Sequence, residues 1–438
     1  MTLPSAPVRI GIDGFNIAMQ RGTGISTYAR VLSRTLAAMG HSVDVLYGQD
    51  MSNRASPFMR EVAFFNRLEQ DSKSSAPDFA SQRWFRERRA SRRGVDAVEV
   101  PITGMVDHRQ FRMPAFDRIL NVPNLFHLAS RHFHKHPHFL RVRIPNPPAI
   151  MHWTYPIPVR LEGARNIYTV HDLVPLRLPH TTLDDKGYHL KLIRGCIQEG
   201  DGICTVSEAS RRDIEQLFPE SAGRVTNTYQ SIDLDAAQVP DANALGDFLQ
   251  GAFGLQPRGY FLFFGSIEPK KNIARLIEAY LSSGSHTPLV IVGAQSWGDE
   301  LRLLALHQPP ASGVAGPQIR QIEYLPFTTL LRLIRGARAV LFPSLTEGFG
   351  LPVVEAMALG TPTLASTEGS LPEIAGEASV LVDPYDTAEI ARGIRWLDDD
   401  PDLRQRLSTA GPAQAARFGP APYRARLDAF YQSLPPVR

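Results

Sequence analysis

The richest set of chemically capable residues lies in one segment, Phe342 to Gly360, which carries two glutamates separated by seven residues. Pro352 suits the first position of a helix and Gly360 suits the position after its end, so a glycine loop opening a short helix is expected. Backbone N–H groups at such a helix start bind phosphate, and a carboxylate tolerates a nearby phosphate when it binds hydroxyls. The segment therefore predicts a site for a ligand with phosphate and sugar hydroxyls, formed by Glu347, Gly348, Phe349, Gly350, Leu351 and Glu355. Helix capping or pairing with lysines is the alternative role for the two glutamates.

A second candidate lies where a strand leads through a glycine turn into a helix, with Gly265, Ser266 and Glu268 followed by Lys270 and Lys271. Two lysines place mobile positive charge at the turn. That charge suits a diphosphate that must be held and then stabilised as it leaves. A solvated turn is the alternative interpretation.

Two further candidates belong to the first half of the chain. Gly22 and Gly24 follow the first predicted strand and open a helix, where free N–H groups bind an anion. His171 and Asp172 end a buried strand, and ligands of open α/β sheets bind beyond the carboxyl ends of strands. A simple strand-to-helix turn and a structural histidine are the respective alternatives.

Short β-branched runs alternate with helical patterns through most of the chain, which is typical of βαβ units with helices on both faces of a parallel sheet. Helices are predicted to start near Ile25, Lys186 and Glu208. The fold class is therefore α/β, with two doubly wound, Rossmann-like domains facing across a cleft. The predicted strands are Val8 to Ile12, Val43 to Tyr47, Ile119 to Val122, Ala149 to Trp153, Ile167 to Val170, Gly202 to Val206, Tyr260 to Phe264, Leu289 to Val292, Arg320 to Tyr324, Ala339 to Phe342, Thr363 to Ala365 and Ser379 to Val382.

Two domains are expected because 438 residues exceed the size at which a single core keeps growing. The predicted domains are residues 1–250 on the acceptor side and 251–420 on the donor side. Residues 421–438 are predicted to form a separate C-terminal helix. Residues 50–118 show little periodicity and are predicted to be an irregular insertion, either plain or in contact with an acceptor or a membrane.

The composition excludes several classes of protein. The chain is 43% hydrophobic and 21% charged, with a net charge of +3, as in ordinary globular proteins. No run approaches the roughly 18 apolar residues of a membrane span, so a cytoplasmic location is expected. Two cysteines, Cys196 and Cys204, are too few for a disulfide framework or a metal site. An arginine cluster suits either an anionic lipid surface or a solvated helix face, and no nucleic-acid module surrounds it: Arg83, Arg86, Arg88, Arg89, Arg92 and Arg93.

Taken in order, these motifs resemble the retaining glycosyltransferases of family 4, which have the GT-B fold. The resemblance covers nearly the whole chain and rests on the glycine loop, His171 with Asp172, the sequence Ser207-Glu208-Ala209-Ser210, the lysine turn and the pair Glu347 and Glu355. One position departs from the pattern, because many relatives have arginine where this chain has Ser266. Phosphate stabilisation is then expected to depend more on the two lysines.

The resemblance implies that the C-terminal helix crosses back to the first domain. It also implies a role for each matching position. Gly24 lies against the donor diphosphate or sugar, Lys271 neutralises the phosphates, and His171 approaches the transferred sugar. Glu347 and the amides of Gly348 to Leu351 hold the sugar and phosphate, and Glu355 takes the ribose hydroxyls. His171, Glu347 and Lys271 are thus the predicted catalytic residues. No metal or other cofactor is expected, and anomeric configuration is retained.

The sequence around His171 and Gly265 is similar to that of mannosyltransferases that build bacterial surface polysaccharides, so GDP-mannose is the expected donor. The expected acceptor is a glycan or lipid-linked glycan at the inner face of the cytoplasmic membrane. A UDP-sugar or a GDP-linked deoxy sugar is an open alternative for the donor. A nucleotide-sugar epimerase and a non-catalytic binding protein are alternatives of other classes, and nucleic acid is not an expected partner.

Overall fold

The computed structural model describes residues 7–18, 24–51, 55–69, 93–107, 113–232, 234, 242–294 and 318–436. Two parallel sheets organise the chain, and helices cover both faces of each. The first sheet has eight strands, in the order β11-β10-β9-β7-β1-β2-β5-β4, and only β4 is antiparallel to its neighbour. Its strands are β1 (Arg9–Asp13), β2 (Ser42–Tyr47), β4 (Val98–Val100), β5 (Arg118–Asn121), β7 (Ile150–Trp153), β9 (Arg165–Thr169), β10 (Gly202–Thr205) and β11 (Val225–Asn227).

A small parallel sheet lies beside the first one, in the order β3-β6-β8. It consists of β3 (Val95–Asp96), β6 (Leu140–Arg143) and β8 (Val159–Leu161). The first domain also contains the helices α1 (Gly24–Ala38), α2 (Pro57–Glu69), α3 (Leu125–Lys135), α4 (Val174–Arg177), α5 (Lys186–Glu199) and α6 (Glu208–Leu217). Local capping explains where two of them begin, because the side chains of Asp185 and Ser207 accept from the backbone N–H groups of Tyr188 and Ser210.

The second sheet has six parallel strands in the order β14-β13-β12-β15-β16-β17. They are β12 (Phe261–Phe264), β13 (Leu289–Val292), β14 (Ile319–Ile322), β15 (Ala339–Phe342), β16 (Thr363–Ser366) and β17 (Val380–Val382). The helices of this half are α7 (Ala242–Phe253), α8 (Ile273–Ser283), α9 (Phe327–Gly336), α10 (Leu351–Ala358), α11 (Leu371–Ala375), α12 (Thr387–Asp399), α13 (Pro401–Ala416) and α14 (Pro420–Gln432).

The predicted α/β class is confirmed, and each predicted strand is present to within two residues at either end. The fully apolar strands show why, since β12, β13 and β15 are buried along their whole length, as central parallel strands are. Helices α5 and α6 begin at the predicted residues, and α1 begins one residue earlier than predicted. Short edge strands such as β4 and β11 were not predicted, because three residues carry too little periodicity.

The described parts of residues 50–118, the region predicted to be an irregular insertion, contain the regular elements α2, β3 and β4. Strand β4 extends the first sheet by pairing with β5, and Phe64 of α2 packs edge-on against Tyr47 with ring centroids 5.0 Å apart. Of the arginine cluster only Arg93 lies within the described residues. The described parts of this region are therefore built into the first domain.

Helix α7 decides where the second domain begins. Leu245 and Leu249 of this helix are buried in a cluster that includes Leu262 of β12 and Ile334 of α9. The boundary placed near residue 250 thus falls inside a helix of the second domain. The apolar side chains at positions 245, 248 and 249 share one helical face, which explains why this segment forms a helix that packs on the second sheet.

The C-terminal helix α14 lies against the first sheet, although the chain reaches it from the second domain. Tyr431 of α14 and His152 of β7 are hydrogen-bonded, with 2.8 Å between Oη and Nδ1. His152 also bonds to Thr169 through Nε2, and both side chains are fully buried. Among the described residues no helix is long and apolar enough to span a bilayer.

Candidate active site

A nearly buried ion pair forms the centre of the candidate site. Lys271 Nζ lies 2.6 Å from Glu347 Oε1, and the two side chains are 11% and 9% exposed. The same ammonium lies 5.0 Å from the centroid of the Phe342 ring. Asn272 adopts a left-handed conformation and its amide donates to the carbonyls of Pro343 and Pro384, which holds the lysine turn against the glutamate loop. Each member of such a pair needs the other, because an unpaired charge at this depth is costly.

Lys270 lies beside this pair and connects the two domains electrostatically. Its Nζ is 3.6 Å from Glu268 Oε1, and its carbonyl accepts from the backbone N–H of Leu345 at 2.8 Å. Burial favours its neutral amine, but the charges of Asp172, Glu347 and Glu268 outweigh burial and raise the pKa of Lys270 above its usual value. Lys270 is therefore protonated and positively charged where the two domains meet.

The side chain of Glu355, on α10, forms no salt bridge or hydrogen bond with any residue in the described ranges. Burial alone raises the pKa of its carboxyl to about 8. The neutral acid consequently dominates at pH 7, which differs from the anionic hydroxyl acceptor that the sequence suggests. A neutral carboxyl can both donate a hydrogen bond to a ligand hydroxyl and accept one from it.

The loop from Gly348 to Leu351 closely approaches the first domain. A Cβ atom on Gly348 would lie 2.6 Å from the carbonyl oxygen of His171, so no larger residue fits there. Gly350 has φ of 97°, which only glycine adopts readily, and this turn starts α10. Gly24, at the start of α1, lies across from Leu351, since a Cβ there would be 3.7 Å from Leu351 Cδ1. The site is therefore assembled from both domains.

Phe349 is predicted to bind the donor through its backbone amide, and its side chain is only 3% exposed. It packs against Phe418 and Tyr229, with ring centroids 5.4 Å and 6.5 Å away. A side chain in this core cannot reach a ligand in the cleft, so only its backbone is available for binding. Ser266 is exposed, and its hydroxyl donates to Glu268 Oε1 at 3.2 Å. Gly22 lies outside the described residues.

His171 reaches the same region from the end of β9. Its Nε2 lies 2.8 Å from the carbonyl oxygen of Thr154, and its ring meets Tyr28 edge-on with centroids 4.9 Å apart. Burial lowers its pKa, so the ring is held in the neutral form. The Ser210 hydroxyl donates to the His171 carbonyl at 2.7 Å, which gives the Ser207-Glu208-Ala209-Ser210 motif a place in the site.

Three residues near the site were not predicted from the sequence. Asp13 ends β1 and is fully buried, Tyr28 contacts the His171 ring, and Glu373 Oε1 accepts from the backbone N–H of Ala209 at 3.3 Å across the two domains. Asp13 alone had a detectable signal, since it is a carboxylate at the end of an apolar strand. The other two depend on contacts between distant elements.

Two family descriptions match the chain over separate ranges that share no residue. "Glycosyltransferase Family 4" matches residues 22–236, and "Glycosyl transferases group 1" matches residues 253–414. The two matches correspond to the first and second sheets. Together they include all the predicted site residues.

Similar proteins carry related names. The O-antigen chain mannosyltransferase B of Escherichia coli is 34% identical over 60% of this chain and 68% of that protein. A serotype-specific mannosyltransferase WbdA of the same species is 28% identical over 61% of this chain, but this match spans only 33% of that protein. HepE of Anabaena, solved in complex with UDP-glucose, superposes with a TM-score of 0.64 at 14% identity and covers 98% of this chain and 100% of its own.

The structural likeness shows the fold, and the sequence likeness shows the family. Both sheets, the cleft between them and the returning C-terminal helix agree with the GT-B architecture. The lysine turn and the two glutamates lie in the second domain, opposite His171 of the first. This chain belongs to glycosyltransferase family 4 and is a glycosyltransferase with the GT-B fold.

Proposed function

We propose that the protein transfers a mannosyl group from GDP-mannose to a glycan or lipid-linked glycan in the synthesis of a bacterial surface polysaccharide, with retention of anomeric configuration. One observation carries the proposal. The Lys271–Glu347 pair lies beside the start of α10, within the part of the chain that closely approaches His171. The mannosyltransferase names of the O-antigen relatives support the choice of sugar.

In this proposal the donor diphosphate lies between the lysine turn and the Gly348 to Leu351 loop. Lys270 and Lys271 stabilise the negative charge that develops on the leaving diphosphate, and the N–H groups at the start of α10 assist them. Glu355 binds the ribose hydroxyls. Because two lysines supply this positive charge, the proposed reaction needs no bound metal.

The proposed step is a same-face substitution at the anomeric carbon. The acceptor oxygen forms a bond to that carbon while the bond to the β-phosphate oxygen breaks, and the acceptor proton passes to the leaving phosphate. Asp172, the carboxylate nearest to His171 in sequence, accepts from the Val174 N–H at 3.1 Å within its own loop. Because no carboxylate is assigned as a nucleophile, the proposed step forms no covalent glycosyl enzyme.

A UDP-sugar donor is the second candidate, favoured by the HepE complex with UDP-glucose. Thermal unfolding with GDP-mannose, GDP, UDP-glucose, UDP-N-acetylglucosamine or UDP separates the two, because a ligand of the native state raises the melting temperature by mass action. We expect the guanine compounds alone to raise it. A rise with uridine compounds alone would contradict the proposed donor.

Turnover is tested with a synthetic octyl α-mannoside as the acceptor. We expect GDP release to accelerate when this acceptor is added and the product to carry a new α-linkage by NMR. Glu347→Ala should abolish transfer, whereas Glu377→Ala, at an exposed glutamate of the same domain, should not change it. Full activity in Glu347→Ala, or a product of inverted configuration, would overturn the proposed mechanism.

A further inference from the structure

Three adjacent strands of the first sheet have their carboxyl ends side by side, and three residues that follow or end them are joined there by hydrogen bonds. The order β9-β7-β1 brings together Asp13 at the end of β1, Thr154 after β7 and His171 after β9. Asp13 Oδ2 accepts from the backbone N–H of Thr154 at 2.5 Å. The carbonyl of the same residue accepts from His171 Nε2 at 2.8 Å. Thr154 therefore links a buried carboxylate to the histidine of the site.

Asp13 is unusual because a carboxylate at the end of a central strand is fully buried. Its second oxygen accepts from the backbone N–H of Phe15 at 3.2 Å, and no lysine, arginine or histidine pairs with it among the described residues. Burial, opposed by the bonds to Thr154 and Phe15, raises its pKa to about 6. A buried carboxylate without a cation destabilises the fold, so the presence of Asp13 at this position needs a reason other than packing.

The contact with Thr154 fixes the tautomer of His171. A carbonyl oxygen only accepts hydrogen bonds, so Nε2 must carry the ring proton. In the neutral ring Nδ1 then presents a lone pair. The edge-on contact with Tyr28 holds the ring plane from another side.

We propose that Asp13 is a positioning residue for the transfer reaction. It fixes the Thr154 backbone so that His171 is held as the Nε2–H tautomer, with Nδ1 free to accept from a substrate hydroxyl. The inference rests on the proposed function insofar as His171 acts on the sugar. The effect of Asp13 on the tautomer of His171 does not depend on that function.

The test uses Asp13→Asn, which keeps the size of the side chain but replaces one accepting oxygen with an NH2 group that can only donate, so it cannot accept from the N–H groups of both Thr154 and Phe15. Asp44→Asn is the matched control, since Asp44 is 2% exposed on β2 of the same sheet and pairs with Arg118. Asp13→Ser, which is too short to reach Thr154, is the second variant if Asp13→Asn does not fold. Folding is checked by the donor-induced shift in melting temperature.

The first measurement is the ¹⁵N spectrum of histidine-labelled protein, with the His171 signal assigned by its loss in His171→Ala. We expect the wild type and Asp44→Asn to show protonation at Nε2 alone. Asp13→Asn should show a mixture of both tautomers. Unchanged His171 shifts in a folded Asp13→Asn protein would overturn the positioning role, whatever the enzyme transfers.

The second measurement is a double-mutant cycle on GDP release from GDP-mannose with the octyl α-mannoside. Asp13→Asn alone should lower kcat about 10- to 100-fold with little change in the KM of the donor, since misplaced groups cost rate more than binding. In the His171→Ala background the same change should have no further effect. An equal loss in that background would show that Asp13 does not act through His171. A fully active His171→Ala would refute the role of the histidine in transfer and leave the tautomer result to decide the positioning.

Discussion

Replacing Lys271 with methionine removes the ammonium but keeps the length and most of the volume of the side chain. Glu347 would then be a carboxylate with 9% exposure that has lost a partner 2.6 Å away. Removing one member of a buried pair typically costs about 3–5 kcal/mol. Lys270 lies close enough to Glu347 for each to favour the charge of the other, so we expect the lower end, about 3 kcal/mol.

For a domain of about 150–250 residues, each kcal/mol lost from the free energy of unfolding lowers the melting temperature by about 2–4 °C. A loss of about 3 kcal/mol should therefore lower it by about 6–12 °C. Differential scanning fluorimetry and urea unfolding measure the change. Lys186→Met is the matched control, because the Lys186 ammonium donates to the Thr182 carbonyl at the partly exposed start of α5. We expect this control to cost less than about 1 kcal/mol.

The double variant Lys271→Met, Glu347→Gln tests the physical reason. It leaves no unpaired charge, so its stability should return to within about 1 kcal/mol of the wild type. Its transfer activity should remain absent, because both predicted catalytic groups are missing. The reasoning is refuted if Lys271→Met melts within 2 °C of the wild type, a margin about the effect of 1 kcal/mol, or if the double variant loses the sum of both single losses.

Three further predictions concern other parts of the site. The carboxyl of Glu355 has its pKa raised from 4.5 to about 8, so the folded state holds a proton that the unfolded state releases, and stability should fall as pH rises from about 4.5 to 8. Glu355→Gln should flatten that slope in melting temperatures recorded across this pH range; an unchanged slope would mean that another group titrates. Gly348→Ala would place a Cβ 2.6 Å from the His171 carbonyl, so we expect at least a tenfold loss of kcat with the melting temperature of each domain retained, and wild-type kinetics would contradict the close approach. Tyr431→Phe leaves the buried Nδ1 of His152 without its partner, and urea unfolding should show a loss of about 1–3 kcal/mol, whereas no loss would mean that water or another group replaces the hydroxyl.

Local signals explain why much of the site was predictable. The apolar runs of β12 and β15 mark buried strands, and Gly265, Gly350 and Pro352 mark the turns that follow them, so the lysine turn and both glutamates could be placed at the carboxyl edge of one sheet. The burial of the Phe349 side chain could not be predicted, because its neighbours Tyr229 and Phe418 come from distant segments. No pattern along the chain shows which side of such a loop faces the core.

The sequence by itself therefore determined the alternation of strands and helices, the glycine and proline positions, and the residue types available for phosphate and sugar. These properties depend on interactions within a few residues. Only the tertiary structure decided that Lys271 pairs with Glu347, that burial raises the pKa of Glu355, and that Asp13 reaches His171 through Thr154. Each of these depends on distances or desolvation among residues that are far apart in the chain, and such contacts arise only when the strands of each sheet are assembled.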